Sequence, residues 1–186
     1  MRKLKLQMQV SVDGFVAGPN GEMDWMQWNW DDGLKAFVNA LTEPVDTILL
    51  GRKLAEGFIP AWKSRIGDPA AEEELAFAHK MIDTPKIVFT KTLDSSEWEN
   101  TELEKGDFVS QITGLKQQPG SDIIVYGGAT FVASLIEKGL IDDLYLFVNP
   151  AATGGGLRIF GGRTNLALAA SRAFDCGIVL LHYKPA

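Results

Sequence analysis

The sequence predicts an α/β domain with a mostly parallel central sheet, flanking helices and an antiparallel C-terminal edge. Three observations predict it. Apolar runs at 47–50 and 123–125 show no polar alternation, which marks strands buried on both faces, as in a parallel sheet. Helical patterns alternate with these runs along the chain. The last two apolar segments, 166–171 and 177–184, follow each other with no helix between them and read as an antiparallel pair. The 186 residues contain no linker, repeat or low-complexity tract, so a single domain, 1–186, is expected.

Leu4, Leu6, Met8 and Val10 alternate with polar residues, the period-two signature of a first strand. The segment Ser11-Val12-Asp13-Gly14 and the turn Gly18-Pro19-Asn20-Gly21 come next, then a loop bearing Trp25, Trp28 and Trp30. Asp31 or Asp32 caps a helix reaching about Leu41, with Leu34, Phe37, Val38 and Leu41 on one face. Gly51 closes the strand at 47–50, and Arg52-Lys53-Leu54 starts a helix. Asp68-Pro69 sets a cap followed by proline at the first helical position. Glu72, Glu73 and Glu74 suit that helix's early turns and Lys80 its last, and Pro85 stops it. A strand at 86–90, a helix at 107–116 and a strand at 122–126 follow. Gly127-Gly128 then turns the chain into a helix carrying Phe131, Val132, Leu135 and Ile136, closed near Gly139. A strand at 144–148 ends before Pro150, and Gly154-Gly155-Gly156 leads to the final pair.

Composition narrows the function. Asp and Glu number 24 against 18 Lys and Arg, with no large basic cluster, which argues against a nucleic-acid partner. No apolar run approaches the ~18–20 residues of a membrane span, and Gln7, Gln9 and Asp13 interrupt any leader-like segment. A single cysteine, Cys176, forms no internal disulfide, which fits a cytoplasmic location. With only His79 and His182 beside it, no metal site is expected, and structural roles suit all three.

Three strand-to-helix junctions carry the candidate chemistry. At Tyr126-Gly127-Gly128-Ala129-Thr130 the glycines lack a Cβ, and the helix start offers free N–H groups to an anion. A dinucleotide pyrophosphate and a ligand-free tight turn both fit this pattern, since a Gly-Gly pair alone is a weak motif. At Gly51-Arg52-Lys53 two cations follow a glycine, and at Thr90-Lys91 a hydroxyl and a cation follow another strand. Ligands of open α/β sheets lie at the carboxyl ends of strands, so three such junctions on one sheet point to a dinucleotide. The cations favour one with an extra phosphate, NADPH. Hydride transfer also needs a proton, for which Asp13, Asp31 and Asp32 are candidates. Asp13 reads equally as a turn residue, and Asp31 or Asp32 as a cap. Trp25, Trp28 and Trp30 either wall a pocket for a flat heterocycle or belong to the core.

The order of Ser11-Val12-Asp13-Gly14, Gly51-Arg52, Gly127-Gly128-Ala129-Thr130, Gly139-Leu140-Ile141-Asp142-Asp143-Leu144, Pro150 and Gly154-Gly155-Gly156 resembles the dihydrofolate-reductase-like proteins. The nearest branch is the reductase domain of the bifunctional riboflavin-biosynthesis deaminase-reductase, and the likeness runs from about residue 3 to residue 184. It implies a three-layer α/β/α fold, bound NADPH and hydride delivery to a pteridine-like or pyrimidine substrate. The reaction implied is that of 5-amino-6-(5-phosphoribosylamino)uracil reductase or dihydrofolate reductase; the alternative is a silent NADPH-binding module. By position, Gly51, Arg52 and Lys53 would meet the adenosine-side phosphates, and Thr90 and Lys91 the ribose 2′-phosphate. Gly127, Gly128, Ala129 and Thr130 would cradle the pyrophosphate with Tyr126 also at the cofactor, Ala17 would lie near the nicotinamide and Asp13 near the substrate. Asp13 and Asp32 are the catalytic candidates, although Asp31 and Asp32 sit slightly out of register with the helix-borne acid of dihydrofolate reductases. A homodimer is implied as well. The chain departs from the family at Leu54, where a threonine is common, and at Ala129, where dihydrofolate reductases carry a third glycine. Tyr126 stands where riboflavin-pathway reductases carry glutamate.

Overall fold

The computed structural model describes residues 1–186. Eight strands form one sheet: β1 (Leu4–Val10), β2 (Val45–Gly51), β3 (Lys86–Phe89), β4 (Thr101–Glu104), β5 (Asp122–Gly127), β6 (Asp143–Val148), β7 (Leu166–Ala173) and β8 (Val179–Pro185). Their spatial order is β4-β3-β2-β5-β1-β6-β8-β7. The first six run parallel; β8 lies antiparallel to β6, and β7 antiparallel to β8. The α/β class and the antiparallel C-terminal edge are therefore as the sequence predicts.

Five helices flank the sheet: α1 (Asp32–Thr42), α2 (Arg52–Arg65), α3 (Leu75–Asp83), α4 (Phe108–Gln117) and α5 (Ala129–Glu137). On one face α4 and α5 bury Ile112, Val132 and Leu135 against Leu4, Leu6, Leu49 and Val125. On the other, Ala55, Ile59 and Met81 of α2 and α3 pack on Ile48, Leu50, Val88 and Ile124. Beside them, Leu34, Val38 and Leu41 of α1 cover Phe147, Phe174 and Leu180.

Three local expectations change. The helix expected from Asp68 to Lys80 is a 3₁₀ segment (Pro69–Glu74) followed by α3. Ala71, at φ −107 and ψ 21, breaks the α geometry there. Strand β4, a polar Thr-Glu-Leu-Glu at the sheet edge, has no apolar signal to announce it. In β1 the polar residues of the alternation do not face solvent. The strand is central, and Lys5 and Gln7 are 8% and 7% exposed. Finally, no helix is long and apolar enough to cross a membrane.

Candidate functional site

The sheet order sets β3, β2, β5, β1 and β6 side by side. Gly51 pairs with Phe89, and Leu50 with Gly127. The three junctions singled out in the sequence therefore stand at adjacent strand ends: Thr90-Lys91 after β3, Gly51-Arg52-Lys53 after β2, and Gly127-Gly128 after β5.

The helices that start at two of these ends differ in their caps from α1, α4 and the 3₁₀ segment; α3, which continues directly from the 3₁₀ segment, also lacks a side-chain cap. Asp31 Oδ1 accepts from Leu34 N at 2.8 Å to cap α1, and Asp107 Oδ2 accepts from Ser110 N at 3.0 Å to cap α4. Asp68 caps the 3₁₀ segment in the same way, accepting from Ala70 N at 2.9 Å. By contrast α2 and α5 begin on Gly51 and Gly128, with no side-chain cap and no acidic residue in the first turn. Their leading N–H groups and positive dipole ends are left without an internal carboxylate.

The glycines have separate reasons. A Cβ on Gly51 would sit 3.1 Å from both Gly128 N and Phe131 Cβ. Gly127 has φ +146, and a Cβ there would lie 2.9 Å from Leu54 Cδ2. Close approach of β2, β5, α2 and α5 therefore fixes both. Gly128 is different: its φ is −80, and the nearest atom to a built Cβ is Leu54 Cβ at 3.8 Å, an ordinary contact. The peptide joining Gly127 to Gly128 is cis.

Around this turn the cations are only partly engaged. Arg52 Nη1 reaches Glu56 Oε1 at 2.7 Å. Lys53 is exposed and forms no ion pair, and Lys91 Nζ approaches only the Lys105 carbonyl, at 3.4 Å. Thr90 is buried; its Oγ1 accepts from Thr92 N and Leu93 N, leaving its O–H free to donate. Ala129 and Thr130 form the first turn of α5, with Thr130 exposed. Tyr126 does not present its side chain to this turn. Its ring stacks on Phe58 of α2 at 5.2 Å, its hydroxyl is buried without a partner, and burial pushes the phenol well above its usual range.

At the end of β1, Ala17 is buried; its carbonyl accepts from Leu157 N at 2.9 Å, and the two residues form an isolated bridge. Asp13 is not placed as a proton donor. Its Oδ1 accepts from Ser11 Oγ at 2.6 Å and Thr153 N at 3.1 Å, and its Oδ2 from Gly154 N at 2.7 Å. These bonds, the Ser11 one foremost, hold its carboxyl at about 2. The group stays ionised and staples the loop after β1 to the loop after β6. The other two aspartates lie to one side of the glycine junctions, by the turn between β7 and β8 next to the carboxyl end of β6. Asp31 divides its carboxylate between Leu34 N and Cys176 N, at 2.8 and 2.9 Å, and this lowers its pKa. Asp32 is exposed and lines a depression with Arg172 and Asp175 beside β7, at the sheet's far edge from β4.

The tryptophans divide. Trp28 is 61% exposed and stacks on Trp30 at 6.1 Å; Trp30 also packs on the α1 cluster. Cys176 donates its backbone N–H to Asp31. His182 Nε2 meets Asp143 Oδ1 at 2.8 Å, and His79 lies 3.6 Å from Asp83. Sequence reasoning missed a set of neutral polar side chains. Gln9 Oε1 accepts from Asn149 Nδ2 at 2.7 Å, and Asn149 Oδ1 accepts from Gln27 N at 2.9 Å. This ties the tryptophan-bearing loop to β1 and β6. The one available signal was the pair Gln7 and Gln9 among the polar residues of the alternating first strand.

The profile of the RibD C-terminal domain matches residues 2–180. An uncharacterised Bacillus subtilis protein, YyaP, is 35% identical, with 98% of this chain and 94% of YyaP covered. A second, YwjB, is 30% identical over 98% of this chain and 97% of its own. Among solved structures, a putative riboflavin biosynthesis protein from Shewanella sp. PV-4 superposes with a TM-score of 0.73 at 21% identity, covering 100% and 99% of the two chains. A diaminohydroxyphosphoribosylaminopyrimidine deaminase/5-amino-6-(5-phosphoribosylamino)uracil reductase from Thermotoga maritima gives 0.67 at 18% identity. There all of this chain matches 57% of the larger protein. At these identities the solved structures establish the shared fold.

Proposed function

The chain belongs to the RibD C-terminal domain family, and on that premise we propose that it is an NADPH-dependent reductase acting on a small heterocycle of the aminouracil or pterin kind. The observation that carries this reading is the pair of uncapped, glycine-started helices, α2 and α5, at neighbouring strand ends, where every aspartate-capped helix start lies elsewhere. The residues present fit the cofactor. The nearest atom to a built Cβ on Gly128 is Leu54 Cβ at 3.8 Å, so the space before the α5 start is open to an approaching phosphate.

In this reading the N–H groups of Gly128, Ala129 and Thr130 bind the pyrophosphate. Arg52 leaves Glu56 for the extra phosphate, joined by Lys53, Lys91 and the Thr90 hydroxyl. NADPH, when bound, supplies the hydride. Ala17, fixed by Leu157, sets the wall beside the nicotinamide, and Asp13 positions the two loops that carry that wall. With Asp13 held ionised, ordered water delivers the accompanying proton.

The family expectation of a homodimer carries over as a proposal. The outer edge of β7 offers unpaired backbone groups for it, and light scattering reads the mass. The cytoplasm is the compartment that fits one free cysteine.

The test is calorimetry. Arg52→Ala should weaken NADPH by about 1.5–3 kcal/mol, the usual value of a charge-assisted hydrogen bond, and leave NADH nearly unchanged. Equal losses for both cofactors would remove Arg52 from the phosphate; no heat and no melting shift for the wild type at millimolar NADPH would reject the reading. A catalytically silent module is the second reading, favoured by the absence of a carboxylic acid placed to donate. A spectrophotometric screen of NADPH oxidation against dihydrofolate, pteridines and aminouracils separates the two.

A further inference from the structure

The two edges of the sheet are guarded unequally. Strand β4, at one edge, has four residues, and two of them are Glu102 and Glu104. Strand β7, at the other, has eight residues, with Arg172 as its one charge and no proline. Edge strands are normally kept short, charged or covered, because their free N–H and C=O groups template pairing with another chain. Nothing in the protomer covers β7. From Gly161 to Ala173 every residue but Leu166 is exposed, and Leu168 reaches 57%. Leu168 and Ala170 stand opposite Tyr183 and His182, neighbours that point to opposite faces, so both faces of β7 are open. Its one irregularity is a register shift against β8 between Leu168 and Ala170.

The charges at the two ends of this strand are complementary. Arg163, just before β7, is exposed. Beyond the other end, a depression of about 270 Å³ is lined by Asp31, Asp32, Arg172 and Asp175, three carboxylates against one guanidinium. No ion pair of the protein uses Arg163, Asp32 or Asp175. A strand with a free cation before it and free carboxylates after it is matched by a second copy of itself running the other way. A two-fold axis across the middle of β7 gives that arrangement. It pairs the strand antiparallel with itself and makes the same end contact twice, setting residues 163–165 of each copy alongside 174–176 of the other. Such a contact also closes: both β7 edges are used, and only the short, acidic β4 edges remain outside.

We propose that two copies of this chain pair their β7 edges antiparallel across a two-fold axis, with Arg163 of each copy seated beside Asp32 and Asp175 of the partner subunit. The two sheets then become one, and each acidic depression is complete only in the dimer. This is the homodimer carried over above, given an interface, and it stands apart from the cofactor reading.

Sedimentation equilibrium of the full chain, across a dilution series, tests it with wild type, Arg163→Glu, Asp175→Arg and an equimolar mixture of the two variants. Both positions are exposed and free of ion pairs, so neither change disturbs the protomer. Wild type should be dimeric. Each variant alone sets like charges together at two symmetric contacts and should dimerise at least about tenfold more weakly. In the mixture, a heterodimer joins opposite charges at both contacts, so the affinity should return to near that of wild type. Hydrogen exchange reads the strand pairing itself: β7 amides should exchange more slowly in the dimer than after dilution to monomer, while β4 amides stay unchanged. Variants that dimerise like wild type, or a mixture no tighter than its components, overturn this interface and leave the homodimer standing. So do β7 amides that exchange equally fast in both states. A wild type that stays monomeric overturns the interface and the homodimer together, and leaves the edge to a different protein.

Discussion

Lys86 opens β3 and is 1% exposed, one of the largest fully buried side chains in the protein. Its ammonium donates to the carbonyls of Met81, Ile82 and Thr84 at 3.2, 2.6 and 2.8 Å, closing the C-terminal end of α3. Burial pushes it down from 10.5 to about 8, against the opposing pull of Asp83 and Glu99. Between those two values the unfolded chain binds more protons than the folded one, so stability from this group rises with pH across the window. Holding the charge in place costs about 3 kcal/mol at neutral pH, at 1.36 kcal/mol per pKa unit, and roughly 2 kcal/mol of that is recovered on going from about pH 7 to about pH 9.5. Lys86→Met removes both the charge and this slope. It also strands the Met81 and Thr84 carbonyls, each at about 1–3 kcal/mol; Ile82 O keeps Asn100 Nδ2 at 3.3 Å. The two terms nearly cancel at neutral pH, but the gap between wild type and variant should widen by about 2 kcal/mol at the higher pH. Urea unfolding followed by tryptophan fluorescence at both pH values measures it. A gap that stays constant or narrows refutes the reasoning.

Two further outcomes concern the site. Gly127→Ala should destabilise the fold by about 1–3 kcal/mol, because φ is +146 and Leu54 is in the way; Gly128→Ala should melt near wild type yet lose NADPH affinity. Thermal melts beside calorimetry separate the pair, and equal melting losses would sink the distinction. Asp13→Asn leaves one acceptor oxygen where Thr153 N and Gly154 N used two, so protease cleavage within 150–156 should speed up, with turnover falling only through loop disorder. An unchanged cleavage rate would remove the staple.

Much of this architecture was legible because parallel strands announce themselves. The runs around Leu49 and Ile124 are buried on both sides and cannot be mistaken for solvent-facing strands. Helix α2 was legible only at its start, since Pro60, Lys63 and Arg65 blur its stripe. Strand β4 is too short and polar to register. The glycine junctions were legible as places, but their adjacency came from strand order. The role of Asp13 was hidden because Thr153 and Gly154 lie about 140 residues away in the chain. The buried Gln7 was hidden for a different reason. Alternation looks the same whether the polar face meets water or a helix layer, and only the central position of β1 decides.

The loops after β1 and β6 meet through Val12 N on Ala151 O, Val16 N on Leu157 O, Leu157 N on Ala17 O, and the two bonds to Asp13. Gly156, at φ +146, lets the second loop run against the Ala17 carbonyl, where any side chain would collide. Two segments so joined cannot fray separately: freeing one removes the partners of the other. They form a single cooperative unit with one opening free energy. The amides of Val16 and Leu157 should then exchange hydrogen at a common rate.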